Sequence, residues 1–227
     1  MPSSPTISIV IPVYNEEAAI GGLLDNLDGQ KDAEVIVADG GSTDRTAELV
    51  AQRALLVRSA TGRAAQMNAG AAAASGQTLL FLHADVRLAD GALDQIRYVM
   101  EDAAIVGGNF DIRYDGDDWA ARTFTRINYW RRKWQIFYGD SGIFCRRSVF
   151  EKLGGYRLWP VMEDYDFARR LSKAGRLALL ECPIWVSSRR WRNAGLFLTL
   201  WSWFLIQTLY LLGVPPHRLA RLYRHVR

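Results

Sequence analysis

Cysteine and lysine are scarce in this chain. The two cysteines, Cys145 and Cys182, have neither metal-ligand spacing nor the makings of a disulfide framework, which fits a reducing, cytoplasmic setting. Lys31, Lys133, Lys152 and Lys173 are the only lysines among 28 basic residues, so arginine dominates. Bidentate phosphate contacts and GC-rich codon usage explain that bias equally, and it carries no weight. The formal net charge of +4 is too mild to imply nucleic acid. The opening stretch MPSSPTISIVIPVYNEE lacks the basic region and small-residue cleavage site of a signal peptide. There is no internal repeat and no low-complexity linker.

What is present is enough apolar material for one substantial core: 227 residues, 49% of them hydrophobic. The first half alternates strand-like and helix-like segments. TISIVIPVY reads as a strand, and the next segment has helical spacing at Ile20, Leu23, Leu24 and Leu27, with Asn15 as its expected N-cap. AEVIVADG and ALLVRS are further strands, separated by a helix opened by Ser42 or Thr43. GRAAQMNAGAAAASG is an Ala-rich helix, TLLFLHAD a fourth strand, and a helix runs from about Asp90 to Met100. This alternation predicts an α/β fold with a mostly parallel sheet. Ligands in such sheets bind beyond the carboxyl ends of the strands, where Tyr14–Glu16, Asp39–Asp44 and His83–Arg87 cluster.

From Ala104 the pattern loosens. AIVGGNFDIRY, SGIFCRRSVF and RLALLECPIWVSS read as strands, and VMEDYDFARRLSKAG as a helix stopped by Gly175. The run RTFTRINYWRRKWQIFY interleaves aromatic and basic residues, as single-strand nucleic-acid binders do. Packed helices with snorkelling basic groups explain it as well, its place in the chain suggests an acceptor wall, and a membrane-facing surface fits too. Nucleic acid is the weakest reading. Leu196–Val214 contains no charge and would form a helix about 28 Å long, close to the thickness of a bilayer core. Trp201 and Trp203 suit a lipid interface, whereas Thr199, Ser202, Gln207 and Thr208 soften that reading. A core helix, a homodimer interface, a full membrane span, and a re-entrant or surface-lying helix at the inner face of the cytoplasmic membrane all remain open.

His83, Asp85 and Arg87 end a buried strand with a carboxylate between two groups able to carry positive charge. A departing diphosphate accumulates negative charge, which a divalent metal or arginines can stabilise. Asp85, with His83 as a second ligand, could hold Mg or Mn. An ordinary strand-end aspartate capping the next helix fits the triplet equally well.

The ordered set SIVIPVYNEE, VIVADGGSTDRT, GRAAQMNAGAAAASG, LLFLHAD, YGDSGIFCRRSVFEKLGGY and MEDYDFARRL resembles the family-2 glycosyltransferases with a GT-A fold, over about residues 7 to 190. GRAAQMNAGA, LFLHAD and GDSGIFCRR are closer still to a compact bacterial subgroup, the rSAM/selenodomain-associated or arsenosugar-biosynthesis transferases. The resemblance implies a GT-A domain over residues 1–190 and a helical, membrane-associated or dimerising extension over 191–227. It implies an inverting transferase using a nucleotide-diphosphate sugar, UDP being favoured over GDP, with a small metabolite or a lipid phosphate as acceptor.

By position, the resemblance places Pro12, Tyr14 and Glu16 in the first nucleotide-binding loop, with the tyrosine ring against the base. Asp39 reads the base edge, Arg63 and Asn68 approach the diphosphate and ribose, and Asp85 is the metal-binding aspartate of an Asp-x-Asp element. Asp164 matches the catalytic base, with Glu163 as competitor or helper. Acidic residues at a helix start have a bland explanation too, since they suit the helix dipole. Asp140 and Ser141, together with Arg190 and Trp191, would close over the acceptor or diphosphate.

The chain departs from the family pattern in three places. His83 replaces the first aspartate of Asp-x-Asp, so a metal would rest on Asp85. Arg87 could neutralise the diphosphate directly. SSRRW is similar to the Gln-x-x-Arg-Trp element of processive synthases, but Ser187 replaces the glutamine, which argues against a processive polymerase. Two rival functions are a sugar nucleotidyltransferase, whose Gly-rich phosphate loop PVYNEEAAIGG does not supply, and a nucleotide-sugar binder that has lost catalysis.

Overall fold

The structure is a computed structural model that describes residues 6–30, 32–116, 118–134, 137–187 and 196–223. Eight strands form one sheet in the order β3-β2-β1-β4-β7-β6-β8-β5. β1 (Ile7–Val13), β2 (Ala33–Asp39), β3 (Leu55–Arg58) and β4 (Thr78–Phe81) pair in parallel. The expectation of a mostly parallel sheet holds only for this half. β7 (Ile143–Arg146) runs antiparallel to both β4 and β6 (Ile105–Tyr114). β8 (Arg176–Val186) is parallel to β6 and antiparallel to the edge strand β5 (Val86–Leu88).

β1 is buried along its whole length, as a strand covered on both faces must be. One face carries α1 (Glu17–Leu27), α2 (Thr46–Ala51), α4 (Ala92–Met100) and α5 (Trp119–Lys133). The predicted spacing of α1 holds, and Ile20, Leu23, Leu24 and Leu27 are all buried. The other face carries α3 (Arg63–Ala73), α6 (Arg147–Lys152) and α7 (Glu163–Ala174). Phe81, Phe150, Tyr156 and Phe167 meet there with ring centroids as close as 4.5 Å, contacts worth about 0.5–1.5 kcal/mol each beyond burial.

Three local readings change. Asn15 does not cap α1; its backbone is left-handed, with φ of +55°, and its side chain serves the neighbouring loop. Asp44, rather than Ser42 or Thr43, satisfies the start of α2, accepting from the Thr46 N–H at 3.0 Å. The strand expected over SGIFCRRSVF ends at Arg146, and α6 follows at once because Phe150 turns into the aromatic cluster.

The apolar C-terminal stretch forms α8 (Leu196–Leu211), followed by the amphipathic α9 (Pro216–Tyr223). Ile206 and Leu219 pack with Val161, just before α7, and Trp203 meets Phe124 of α5 edge-on at 6.0 Å. Among the described residues, no helix is long and apolar enough to cross a membrane.

Candidate active site

The carboxyl ends of β1 and β2 are laced together by their own loops. The Asn15 N–H donates to Ser42 Oγ at 3.0 Å, and Asn15 Oδ1 accepts from the Thr43 N–H at 2.8 Å. The Glu16 N–H donates to Thr46 Oγ1 at 2.8 Å, and Glu17 Oε2 accepts from the Arg45 N–H at 3.0 Å. Tyr14 projects from this lattice half exposed, while Pro12 is buried within β1 opposite Ala38. Asp39 is fully buried. One of its oxygens accepts from the Ser42 N–H at 3.0 Å and from the Ser42 hydroxyl at 2.5 Å, and the other pairs with Arg58.

α3 ties this lattice to the second half of the chain. Gln66 Nε2 donates to the carbonyls of Val13 and Ala38, fixing the helix against both strand ends. Asn68 uses both ends of its amide on the backbone of Tyr156, at 2.8 and 2.9 Å. It therefore clamps the turn before α7. Arg63 reaches across to Glu163, with Nε 3.0 Å from Oε1 and the carboxylate all but fully buried.

The N-terminus of α7 carries Glu163, Asp164 and Asp166, a charge pattern matched to the helix dipole. The three carboxylates have separate partners. Glu163 faces Arg63, and Asp166 is held by Arg157 at 3.2 Å and Arg170 at 2.7 Å. Asp164 is only half-buried, and two backbone donors fix it: the Gly139 N–H at 2.9 Å to Oδ2 and the Tyr165 N–H at 2.7 Å to Oδ1. A Cβ placed on Gly139 would lie 3.0 Å from His83 Nε2 and 3.2 Å from Asp164 Oδ2. The imidazole at the end of β4 and the carboxylate at the start of α7 thus flank one glycine. Asp85, half-buried, stands two residues beyond His83 on the connection to β5. Arg87 is exposed on β5 and stacks over Trp185, 4.3 Å from the ring centroid.

Gly139 belongs to a short 3-10 turn, Gly139–Ser141. Ser141 is fully buried and donates to the Tyr138 carbonyl at 2.6 Å, while Asp140 accepts from the Tyr114 hydroxyl at 3.5 Å. Tyr138 stacks on Tyr165 at 5.5 Å, and its hydroxyl donates to Gln207 of α8 at 2.6 Å while Arg131 of α5 donates to it. Burial, opposed by Arg131 and aided by the Asp164 charge, pushes the Tyr138 phenol up to about 12. Burial also raises the Tyr114 phenol well above its ordinary value, with the Asp140 charge adding to it. Both phenols remain protonated at neutral pH. No motif or spacing in the sequence brings Gln66, Tyr138, Gly139 or Gln207 to this site. Gln66 was visible as a lone long polar side chain in an Ala-rich helix, but nothing linked Gln207 to the site. Arg190 and Trp191 lie outside the described residues.

Among the described residues no group of three His, Cys, Asp or Glu side chains gathers in a metal-binding cluster. His83 and Asp85 offer one imidazole nitrogen and one carboxylate. That set fits a Mg or Mn ion held largely by substrate phosphates and water, which needs one or two protein carboxylates. A cavity of about 310 Å³ lies elsewhere, between Trp159, Arg169, Tyr210 and the turn joining α8 to α9.

Residues 8–154 match Glycosyl transferase family 2. A PGL/p-HBAD biosynthesis glycosyltransferase of Mycobacterium bovis is 31% identical, the match covering 73% of this chain and 69% of the relative. Glycosyltransferase AglE of Haloferax volcanii is 28% identical over 75% of this chain and 62% of its own. Among solved structures, the mannosyltransferase PcManGT from Pyrobaculum calidifontis, in complex with GDP-Man and Mn2+, shares the fold with a TM-score of 0.63 and 22% identity. S. aureus TarS 1-349 in complex with UDP-GlcNAc gives 0.62 and 19%. These two matches cover 82% and 81% of this chain, which spans 58% of the length of each structure.

Proposed function

The chain belongs to glycosyl transferase family 2, and on that premise we propose that it moves a sugar from a nucleoside diphosphate donor to an acceptor hydroxyl or phosphate by a single inverting displacement. The observation that carries this reading is the Asp164 carboxylate, fixed by two backbone N–H groups beside His83 at the end of β4. A base held in one orientation before the acceptor arrives needs no reorganisation during the reaction. Asp164 takes the acceptor's proton as its oxygen bonds to the anomeric carbon, and the bond from that carbon to the diphosphate oxygen breaks on the opposite side. Glu163, engaged with Arg63, supports the base rather than competing with it.

Tyr14 would lie against the base of the donor and Asp39 would order the loop beneath it. Arg63 and Arg87 would face the diphosphate. His83 and Asp85 would hold a Mg or Mn ion, which supplies charge neutralisation for the leaving group. UDP is the donor nucleotide we favour and GDP the alternative, since similar structures hold UDP-GlcNAc and GDP-Man. The acceptor classes are a lipid phosphate and a small metabolite of the arsenosugar kind.

Asp164→Asn tests the reading, because the amide oxygen can still accept from Gly139. UDP release from a panel of UDP-sugars with Mg or Mn should fall roughly a thousandfold, within the range for loss of a general base. Thermal shifts induced by the same nucleotide sugars should persist. Turnover retained by the variant refutes Asp164 as the base, and shifts with GDP-sugars alone reassign the donor.

A further inference from the structure

The large exposed apolar side chains are unevenly spread, and α5 and α8 carry most of the rings. On α5, Ile127 and Trp130 are 42% and 57% exposed, Trp134 just past its end is 74% exposed, and on α8, Trp201 and Phe204 are 55% and 65% exposed. Phe124, Ile127 and Arg131 recur at spacings of three and four and so follow one ridge of α5, with Trp134 just beyond its last turn. Phe124 touches Trp203 of α8, and Arg131 reaches the Tyr138 hydroxyl that donates to Gln207 of α8. The exposed rings of α5 therefore adjoin α8.

α8 is apolar on its outer side as well as its inner one. Its inner residues are occupied: Ile206 packs with Val161 and Leu219, and Tyr210 meets Tyr165 and Trp159. Its outer residues Trp201, Phe204 and Leu211 are left in water. A helix apolar all round belongs in a core or against lipid.

We propose that α5 and α8 form a docking face for a membrane surface rich in anionic lipid, with both helices lying in the plane of the headgroups. Tryptophan is the residue favoured at that depth. The charges that border the rings complement such a surface. Arg122, Arg126 and Lys133 are exposed on α5, and α9, which packs on α8 through Leu219, adds exposed Arg218 and Arg221. The Lys133 ammonium lies 4.4 Å from the Tyr129 ring centroid and 5.0 Å from that of Trp130, with its charge held at the edge of the apolar stripe. A second copy of the chain fits this face poorly, because a two-fold contact apposes the same basic border to itself. The inner side of α8 meets Tyr138, next to the glycine that holds Asp164. The docking face is thus the back of the acceptor side. It stands on the surface residues and does not require the transfer chemistry proposed above.

Co-sedimentation of the full chain with vesicles tests this directly. Equimolar phosphatidylglycerol and phosphatidylcholine vesicles should carry the protein down, pure phosphatidylcholine should not, and raised salt should weaken the binding. The paired substitution of Trp130→Ser and Trp134→Ser, and separately Phe204→Ser, should weaken vesicle binding at least tenfold. These variants should keep the melting temperature and any nucleotide-sugar hydrolysis measured without vesicles, so loss of docking is separable from failure of the transferase reading. Absence of binding to anionic vesicles, or equal binding to neutral ones, overturns the proposal. So does a dimer in sedimentation velocity that the same variants dissociate, since the face would then belong to a second copy.

Discussion

The two halves of the sheet hold the candidate site by different means. On the β3-β2-β1-β4 side, polar side chains bond to backbone and to one another, the short Asn15, Ser42 and Asp44 and the longer Gln66 among them. On the β7-β6-β8-β5 side, stacked rings and docked helices do the work, as in the chain from Gln207 through Tyr138 to Gly139 and Asp164. The first arrangement joins the loops at neighbouring strand ends directly through their backbone. The second makes the geometry of the base depend on elements far away in sequence.

The largest effect should come from breaking the second half at its seam. A Cβ on Gly108 would sit 2.0 Å from the Ala178 carbonyl oxygen and 2.6 Å from the Phe144 ring. Gly108→Ala should therefore destabilise by about 3 kcal/mol, the upper end for overpacking, as measured by urea unfolding. A loss under half of that would mean the β6–β8 seam is softer than the close approach implies.

A smaller effect should separate positioning from binding. Gln207→Ala leaves the Tyr138 hydroxyl without its acceptor, and turnover should fall about tenfold, or about 1.4 kcal/mol of barrier. The KM for the nucleotide sugar should stay unchanged, and Gln207→Glu, which restores an acceptor, should recover most of the rate. A rise in KM with unchanged turnover would place Gln207 in binding instead.

The smallest effect lies in the first half. Burial pushes the Glu34 carboxyl up, but hydrogen bonds from Ser8, Ser75 and Gly76 together hold it below its usual value. Its contribution is therefore complete at neutral pH and lost as pH falls through the lowered folded-state value. Glu34→Gln should cost about 1 kcal/mol near pH 7, and the difference from the parent should shrink in acid. A difference independent of pH would assign the effect to packing.

This contrast also explains what could be seen in the sequence. The first four strands, their helices and the loop clusters at their ends followed from alternation and spacing, because a strand-then-helix order recurs along this stretch of chain. The antiparallel insertion of β7 between β4 and β6 left no local trace, and the short β5 was hidden inside the His83–Arg87 cluster. Within the site, Asp164 and His83 were legible as chemistry, and their meeting across Gly139 was expected only as a shared rim. Asn68 and Glu163 have partners in Tyr156 and Arg63 that no spacing reveals. α9 falls within the helical extension expected over 191–227, and the proline at its first position is favourable there.

The edge strand beside Asp85 has its sheet partner at the far end of the fold, for Val86 is registered with Val186. As the chain leaves the ribosome, the parallel strands can assemble early, whereas this short segment must wait until β8 has been synthesised and threaded beside β6. The rim that would grip a metal and a pyrophosphate is therefore among the last parts to be completed. A nascent chain lacking β8 would have most of its first core and an unfinished catalytic edge.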